Sequence, residues 1–123
     1  MIQRVTIAPP YSILFISGPE DFEIPDIPRE SEVAIWSTPM CIVFGCRMFQ
    51  DGETEVTLAP AADMHPDLLL RFDGQLETPN GHLEVSTAEG QIVFGTKVEA
   101  AKTRVRIWSD HPSEPDRVII GLG

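Results

Sequence analysis

Long apolar runs are missing from this sequence of 123 residues. The longest are "ILFI" at 13–16 and "CIVFGC" at 41–46, well short of the roughly 20 residues that a membrane-spanning helix needs. The N-terminal region has Arg4 but no apolar core of signal-peptide length before Pro9 and Pro10. Neither membrane insertion nor secretion is therefore predicted, and we expect a cytoplasmic protein.

Sequence motifs of common cofactor-dependent and hydrolytic enzymes are also missing. There is no Walker-type loop, no dinucleotide fingerprint, no C-x-x-C pair and no G-x-S-x-G nucleophile elbow. Ser109, Asp110 and His111 are the residue types of a hydrolase triad, but contiguous side chains in an extended segment diverge. The sequence thus predicts no catalytic residue, no cofactor and no metal site.

Positive charge is scarce. The sequence has 9 Lys and Arg residues against 19 Asp and Glu residues, which gives a formal net charge of -10. Such a field repels nucleic acid phosphates and anionic membranes, and it attracts basic partners. Direct nucleic acid binding is therefore disfavoured and a basic protein partner is favoured, although acidity that serves only solubility would give the same composition.

Cysteine is rare as well, with only Cys41 and Cys46 in the chain. The odd separation in one predicted strand points the two side chains to opposite faces and puts the Cα atoms about 16 Å apart, too far for a disulfide. We therefore expect free thiols in a reducing compartment.

Apolar and polar residues alternate along most of the chain, which is the pattern of β-strands. It predicts ten strands at 2–8, 11–17, 33–38, 41–49, 54–59, 68–77, 82–87, 91–98, 103–109 and 117–122. Helix signals are poor, because the best window carries Pro60 and Pro66. We predict a single domain, residues 1–123, folded as an all-β antiparallel sandwich of roughly eight to ten short strands, with a barrel as second choice.

Two turns are explicit enough to suggest strand pairing. Asp51-Gly52 and Asn80-Gly81 each lie between two alternating segments, and glycine accepts the positive φ that tight turns need. Both are predicted to form antiparallel hairpins.

The alternation also assigns faces to the strands. In each of four strands it places one group of residues on a common face. The groups are Ile42, Phe44, Cys46 and Met48; Leu83 and Val85; Ile92, Phe94 and Val98; and Val105 and Ile107. Arg104, Arg106 and Trp108 fall on the face opposite Val105, as a patch of concentrated positive charge. This trio either belongs to a partner or ligand surface or is an arginine packed over an indole ring.

Carboxylates are concentrated in "PEDFEIPDIPRESE", residues 19–32, between two early strands. Three prolines stiffen this segment, and Phe22, Ile24 and Ile27 are spaced so that they can anchor it to the sandwich. We predict an ordered acidic loop that contacts a basic partner through Glu20, Asp21, Glu23, Asp26, Glu30 and Glu32.

Three histidines near carboxylates support an alternative function. His65, His82 and His111 are of the residue type that binds metals together with carboxylates, although exposed turn positions explain them more simply. The alternative is a small-ligand-binding sandwich or barrel, including a metal-dependent enzyme, and it requires these loops to converge.

A family resemblance lies in the order of features along the chain. An early "PYSILF" strand and the acidic segment are followed by "CIVFGCRMF", "TEVTLA", "GHLEVST" and a closing "TRVRIWSDHPSEPDRVIIGLG". This order resembles the competence protein J family, the small acidic inhibitors of the bacterial DNA-entry nuclease. The resemblance implies a cytosolic, non-enzymatic β protein that binds and blocks a basic enzyme. It gives no residue-by-residue correspondence, so the six contact carboxylates rest on their clustering alone.

The sequence therefore predicts a non-catalytic acidic binding protein, and the resemblance implies that it inhibits a basic enzyme such as a nuclease. A nuclease offers a cationic groove for phosphate, and a rigid carboxylate surface can occupy such a groove. Homodimerisation through sheet edges is compatible with either function.

Overall fold

The computed structural model describes residues 2–9, 13–18, 35–46, 52–63, 67–111 and 115–123. Within these ranges the chain forms ten β-strands and one short 3-10 turn, Ala61–Asp63. The strands are β1 (Gln3–Ile7), β2 (Ile13–Ser17), β3 (Ile35–Thr38), β4 (Cys41–Gly45), β5 (Thr54–Pro60), β6 (Leu69–Glu77), β7 (His82–Thr87), β8 (Ile92–Lys97), β9 (Lys102–Ser109) and β10 (Arg117–Leu122). Each predicted strand is present. No helix in the described ranges has the length and apolar character needed to cross a bilayer.

The strands form two five-stranded sheets. Sheet A has the order β1-β5-β10-β9-β6, and sheet B has the order β3-β4-β2-β7-β8. Neighbouring strands in the described part of the chain run antiparallel except β5 and β10, which run parallel with Val118 opposite Val56. Two open sheets packed face to face confirm the predicted all-β sandwich, and the parallel pair is a departure from the predicted antiparallel pairing.

Alternate residues of each strand fill the space between the sheets. In β7, Leu83 and Val85 are buried while His82 and Glu84 are partly exposed, as the alternation predicts. The inward side chains with no exposed surface include Leu14, Ile16, Ile42, Val56, Leu76, Leu83, Val85, Val105 and Ile120. Burial of one such side chain contributes roughly 1.5–3 kcal/mol, so the two inner faces hold the sheets together.

The two predicted hairpins are wrong. β4 and β5 lie in different sheets, and so do β6 and β7, so the chain crosses from sheet to sheet in both places. Asp51 lies outside the described residues, but Gly52 and Gly81 have positive φ values of 133° and 66°, as turn glycines should. Both glycines therefore have the predicted positive φ, but the strands that flank them do not pair with each other.

Thr78 shows why the second turn does not close a hairpin. Its Oγ1 donates to the Ala100 carbonyl at 2.8 Å and lies 2.9 Å from Thr103 Oγ1, and its N–H donates to the Ala101 carbonyl at 2.7 Å. These bonds attach the turn to the connection between β8 and β9. A pair such as Asn80-Gly81 specifies a change in chain direction. Hydrogen bonds to residues distant in sequence determine which sheet the next strand joins.

One face assignment is wrong in β8. Val85 pairs with Phe94, but Ser86 pairs with Ile92, so Val93 is an extra residue at this point of the ladder. This bulge turns Ile92 to the outside, where it is 57% exposed, while Phe94 stays in the core. An inserted residue shifts the period-two pattern by one position, and the sequence does not mark where that happens.

Different loops lie at the two ends of the sandwich. At the Thr54 end, β5 and β10 begin and β9 ends, and at the Pro60 end β5 and β10 end and β9 begins. In sheet B, β3 begins at the Thr54 end, where Ile35 and Ser109 line one small cavity. β3 ends near the Pro60 end, where the N–H of Glu77 donates to the Pro39 carbonyl at 2.8 Å.

The described residues at the two ends of the connection from β5 to β6 lie close to β10 of sheet A. β5 and β6 run in the same direction with β10 and β9 between them, so the connection must return along the sheet. Its first residue, Ala61, is buried beside β10, where a Cβ atom built on Gly121 would lie 3.2 Å from the Ala61 Cβ and 2.7 Å from the Trp108 ring. Further along the connection, Asp67 Oδ1 lies 3.8 Å from Nη1 of Arg117, which also belongs to β10. Glycine at 121 therefore permits this close packing.

Candidate partner-binding surfaces

The six carboxylates predicted to contact a partner lie outside the described residues. They are Glu20, Asp21, Glu23, Asp26, Glu30 and Glu32, and their role as contacts stays a prediction. Residues 19–34 contain these six and one arginine, so their net charge of -5 is half of the formal -10 of the chain. The flanking strands are described: β2 ends at Ser17 and β3 begins at Ile35.

Exposed carboxylates also gather at the Thr54 end of the sandwich. The loop residues described there include five exposed acidic residues and no lysine or arginine. We call this set the acidic end: Glu53, Asp67, Glu89, Asp110 and Asp116. Sequence reasoning missed it, because its members come from four connections that only the fold brings to one end.

Hydrogen bonds hold the described residues at both ends of the loop between β9 and β10, at the acidic end. The Asp110 Oδ1 accepts hydrogen bonds from the N–H groups of Asp116 at 3.0 Å and Arg117 at 3.2 Å. Thr54 Oγ1 donates to the Pro115 carbonyl at 3.0 Å, and the Glu55 N–H donates to the Asp116 carbonyl at 2.8 Å. The backbone at Asp110 and Asp116 is therefore held by hydrogen bonds, and binding through such a restrained loop would cost less conformational entropy than binding through an unrestrained one.

The predicted arginine and tryptophan patch lies on the outer face of sheet A. Arg104 binds Asp73 of β6 through two hydrogen bonds, Nε to Oδ1 at 2.9 Å and Nη2 to Oδ2 at 2.7 Å. Arg106 lies over the Trp108 ring at 5.8 Å and donates from Nη2 to the Gly123 carbonyl at 2.7 Å. Of the two interpretations of this trio, the arginine packed over the indole is observed.

The bidentate pair of Arg104 and Asp73 also determines the net charge of this face. The hydrogen bonds from Arg104 lower the pKa of the Asp73 carboxyl, and those same bonds raise the pKa of the Arg104 guanidinium. Both groups are thus charged at neutral pH and largely cancel each other. The patch therefore offers less free positive charge to an anionic partner than its sequence suggests.

A cleft of about 520 Å³ opens at the Pro60 end of the sandwich. Leu58, Val98 and Leu122 supply apolar lining, and the exposed lysines Lys97 and Lys102 line the same cleft. The exposed carboxylate Glu99 lines the cleft as well, so this end carries charges of both signs.

The histidines predicted as a possible metal cluster are separated by the fold. His82 lies at the Pro60 end, opposite Lys97, with its Nε2 3.5 Å from Glu84 Oε1. His111 follows Ser109 at the Thr54 end, and His65 lies outside the described residues. The described histidines therefore cannot ligate one metal ion together, and no group of three His, Cys, Asp or Glu side chains in the described ranges could hold one.

Cys41 and Cys46 are free, and both are buried. Cys46 packs in the core between the sheets, whereas Cys41 lies on the outer face of sheet B, which confirms that they point to opposite faces. Burial raises the pKa of each thiol to about 12, and a hydrogen bond with Thr54 opposes the shift at Cys46. Neither thiol is a reactive nucleophile in the folded protein.

A second apolar cluster lies on the outer face of sheet B. Phe15, Cys41 and Val43 are buried there, with Ile13 and Trp36 packed against them. We call these five residues the outer cluster. The sequence marks it only by the unbroken apolar runs "ILFI" and "CIVF", in which both faces of β2 and β4 are apolar.

Comparison with known proteins gives a match in structure. No protein-family model matches the sequence, and no curated protein matches it either. The crystal structure of ComJ from Bacillus subtilis, the inhibitor of the DNA degrading activity of NucA, is similar to this fold with a TM-score of 0.69, over 99% of this chain and 97% of that chain. The two sequences are 9% identical. The resemblance to the competence protein J family is thus confirmed at the level of the fold.

Proposed function

We propose that the protein inhibits a DNA-degrading nuclease by binding the cationic surface through which that enzyme holds its substrate. The ComJ-like fold over 99% of the chain carries this proposal, because ComJ inhibits the DNA degrading activity of NucA. The formal net charge of -10 supports it, since DNA is also a polyanion and competes for the same cationic groups.

Binding in this proposal is electrostatic at long range. Carboxylates on the inhibitor stand where DNA phosphates would lie, so they steer the encounter and occupy the groove without being cut. The contacts are the six residues predicted from the sequence: Glu20, Asp21, Glu23, Asp26, Glu30 and Glu32. The acidic end adds a second surface of the same sign. The partner is a basic protein, and the location is the cytoplasm, where free thiols such as Cys41 and Cys46 persist.

A nuclease assay tests the proposal. The purified protein is added to NucA and, separately, to a DNA-degrading extract of the cells from which the chain comes, and the rate of DNA degradation is measured at about 50 and 500 mM salt. We expect inhibition at the low salt concentration that weakens at the high one, because screening removes the electrostatic attraction. Unchanged degradation in both preparations, at inhibitor concentrations up to tens of micromolar, would contradict the proposal.

A matched pair of variants tests the contact residues. In the first, the six carboxylates of residues 19–32 become the corresponding amides. In the comparison variant, six carboxylates elsewhere become amides: Glu53, Asp67, Glu77, Glu89, Glu99 and Asp116. Four of these belong to the acidic end, so the pair compares residues 19–32 with that second surface. Both variants lose the same charge, so a loss of inhibition of about 100-fold or more in the first and less than about 10-fold in the comparison variant would assign the contacts to residues 19–32. Equal losses would contradict the assignment of the contacts to residues 19–32 alone.

The cleft at the Pro60 end favours a second candidate function, the binding of a small apolar anion. Its apolar residues would cover the ligand body, while Lys97 and Lys102 would attract the charged group. Titration with an anionic fluorescent naphthalene sulfonate should saturate, and the variant K97Q/K102Q should bind it roughly 5-fold or more weakly. A neutral apolar dye serves as the control and should be unaffected by the variant. Non-saturating fluorescence in the folded wild-type protein would remove this candidate.

A further inference from the structure

Asn80 and Gly81 form a pair of residues that can react without an enzyme. Asn80 is the only asparagine of the chain, and it is exposed in the turn between β6 and β7. The backbone nitrogen of a glycine can attack Cγ of a preceding asparagine, because glycine has no side chain to hinder the approach. This turn is therefore a candidate site of chemical modification.

The reaction consumes water and releases ammonia. The Gly81 nitrogen loses its proton to a base in solvent and forms a bond to Cγ of Asn80. The bond from Cγ to Nδ2 then breaks, and ammonia leaves with a proton taken from solvent. Water opens the resulting cyclic succinimide at either of its carbonyl carbons. One opening gives aspartate, and the other gives isoaspartate, in which the main chain runs through Cβ and Cγ.

In the folded protein the attacking nitrogen is engaged. The Gly81 N–H donates to the Thr78 carbonyl at 3.0 Å, which closes a β-turn over Pro79 and Asn80. The Gly81 carbonyl accepts a hydrogen bond from the Val98 N–H at 3.0 Å, so the glycine is held through both of its backbone polar groups. The Gly81 nitrogen must leave the Thr78 carbonyl before it can lose its proton and attack.

Thr78 attaches this turn to the rest of the sandwich. It has 0% exposure, and its N–H donates to the Ala101 carbonyl at 2.7 Å. Its Oγ1 donates to the Ala100 carbonyl at 2.8 Å and lies 2.9 Å from Thr103 Oγ1. These buried bonds hold the Thr78 carbonyl where it accepts from Gly81, so loosening Thr78 loosens the turn.

We propose that Asn80 is a site of spontaneous deamidation whose rate is set by local opening of the turn between Thr78 and Gly81. The reaction proceeds from the open turn, so its rate in the folded protein equals the rate in an unstructured peptide multiplied by the open fraction. Hydrogen exchange of the Gly81 amide requires the same opening. Folding should therefore slow both processes by the same factor.

Isoaspartate at position 80 would change the Pro60 end of the sandwich. Its main chain is longer by one carbon atom, so the turn no longer matches its partners at Thr78 and Val98. Val98, Ala100 and Thr103 line the cleft at this end, and each of them bonds to the turn. Formation of isoaspartate therefore loosens one wall of the cleft, whereas aspartate preserves the normal main chain.

Peptide mapping by mass spectrometry and amide hydrogen exchange by NMR test the common factor. The folded protein and a peptide of residues 76–85 are incubated under the same neutral conditions. We expect Asn80 to react at least about 10-fold more slowly in the folded protein, and the Gly81 amide to be protected by the same factor within about 5-fold. A smaller slowing, or a larger mismatch between the two factors, would overturn the proposal.

The variant T78V weakens the anchor with little change in volume, because a methyl group replaces the hydroxyl. It should accelerate deamidation of Asn80 and exchange of the Gly81 amide together, each by about 5-fold or more. T57V is the matched control, since Thr57 is also buried but lies in β5, where its Oγ1 accepts from Arg4 Nε at 3.1 Å. It should leave both rates unchanged. Unchanged rates in a folded T78V protein would contradict the proposal, and if T78V does not fold, the comparison on the wild type decides.

The variant N80D separates the added charge from the altered main chain. It carries the same charge as the isoaspartate product, which ion exchange and peptide mapping isolate after long incubation. The isoaspartate form should lose hydrogen-exchange protection at the Val98 amide by about 10-fold or more, whereas N80D should keep it. Equal protection in both forms would show that the longer main chain leaves the turn intact and would refute the loosening of the cleft wall.

Discussion

Replacing Phe44 by alanine lowers the free energy of unfolding by about 3–5 kcal/mol. Phe44 is 1% exposed and belongs to the core cluster, where Ile35 and Leu14 are its neighbours on the adjacent strands. Ile107 and Val118 of the facing sheet line a small cavity with it. Removing the ring loses its transfer free energy and leaves a void that two facing sheets cannot easily close.

Chemical denaturation measures this loss, and Leu69→Ala is the control. Leu69 is an apolar strand residue that is 66% exposed, so its truncation should cost less than about 0.5 kcal/mol. Because domains of this kind are typically stable by about 5–15 kcal/mol, Phe44→Ala should remove a large part of the total. A loss below about 1 kcal/mol at Phe44 would mean that the two sheets do not pack through this residue.

Alkaline pH should destabilise the protein through its buried thiols. Burial raises the pKa of Cys41 and Cys46 from 9.0 to about 12, so the folded state holds these protons more tightly than the unfolded state does. The stabilisation is complete below pH 9, where the thiols are protonated in both states, and it is lost as the pH rises toward 12. The expected slope within this window is about 1.4 kcal/mol per pH unit for each thiol.

The double variant C41A/C46A separates this effect from other alkaline titrations. All other titratable groups are the same in both proteins, so their contributions cancel in the difference. Between pH 9 and pH 11, the free energy of unfolding of the wild type should fall by about 3–5 kcal/mol more than that of the variant. Parallel pH profiles for the two proteins would show that the thiols are not buried in the folded state.

The strands are predictable from the sequence because the core sets their pattern. Leu83 and Val85 of β7 alternate with polar residues, and so do Val105 and Ile107 of β9, so each half-buried strand shows its period directly. β4 is different, because Val43 lies on the outer face and is still buried. Its apolar run predicts a strand, but it does not say that both faces are covered.

Strand pairing is less predictable, because the turns do not encode it. Gly52 and Gly81 both have positive φ, yet the strand that follows each of them lies in the other sheet. The hydrogen bonds of Thr78 to Ala100 and Ala101 join residues distant in sequence, and no local pattern identifies such partners. The bulge at Val93 reverses the face of Ile92 for the same reason, since a single inserted residue has no local sequence mark.

The two acidic surfaces also differ in whether the sequence alone predicts them. The acidic segment 19–32 is visible in the sequence, because its carboxylates are contiguous. The acidic end is not, since Glu53, Glu89 and Asp110 stand far apart in the chain and meet only once the direction of every strand is known. Carboxylates that directly precede or follow predicted strands indicate a shared acidic surface only when the strand topology is already known.

The central position of β10 in sheet A has a consequence for biosynthesis. β10 lies between β5 and β9, and Thr54 at the start of β5 bonds to Pro115 across 61 residues of sequence. When β1 to β9 have been synthesised and β10 has not, the chain therefore contains two parts of sheet A with no strand to join them. Their open edges can recruit other nascent chains, so chaperone capture should be most important in the seconds before residues 117–122 emerge.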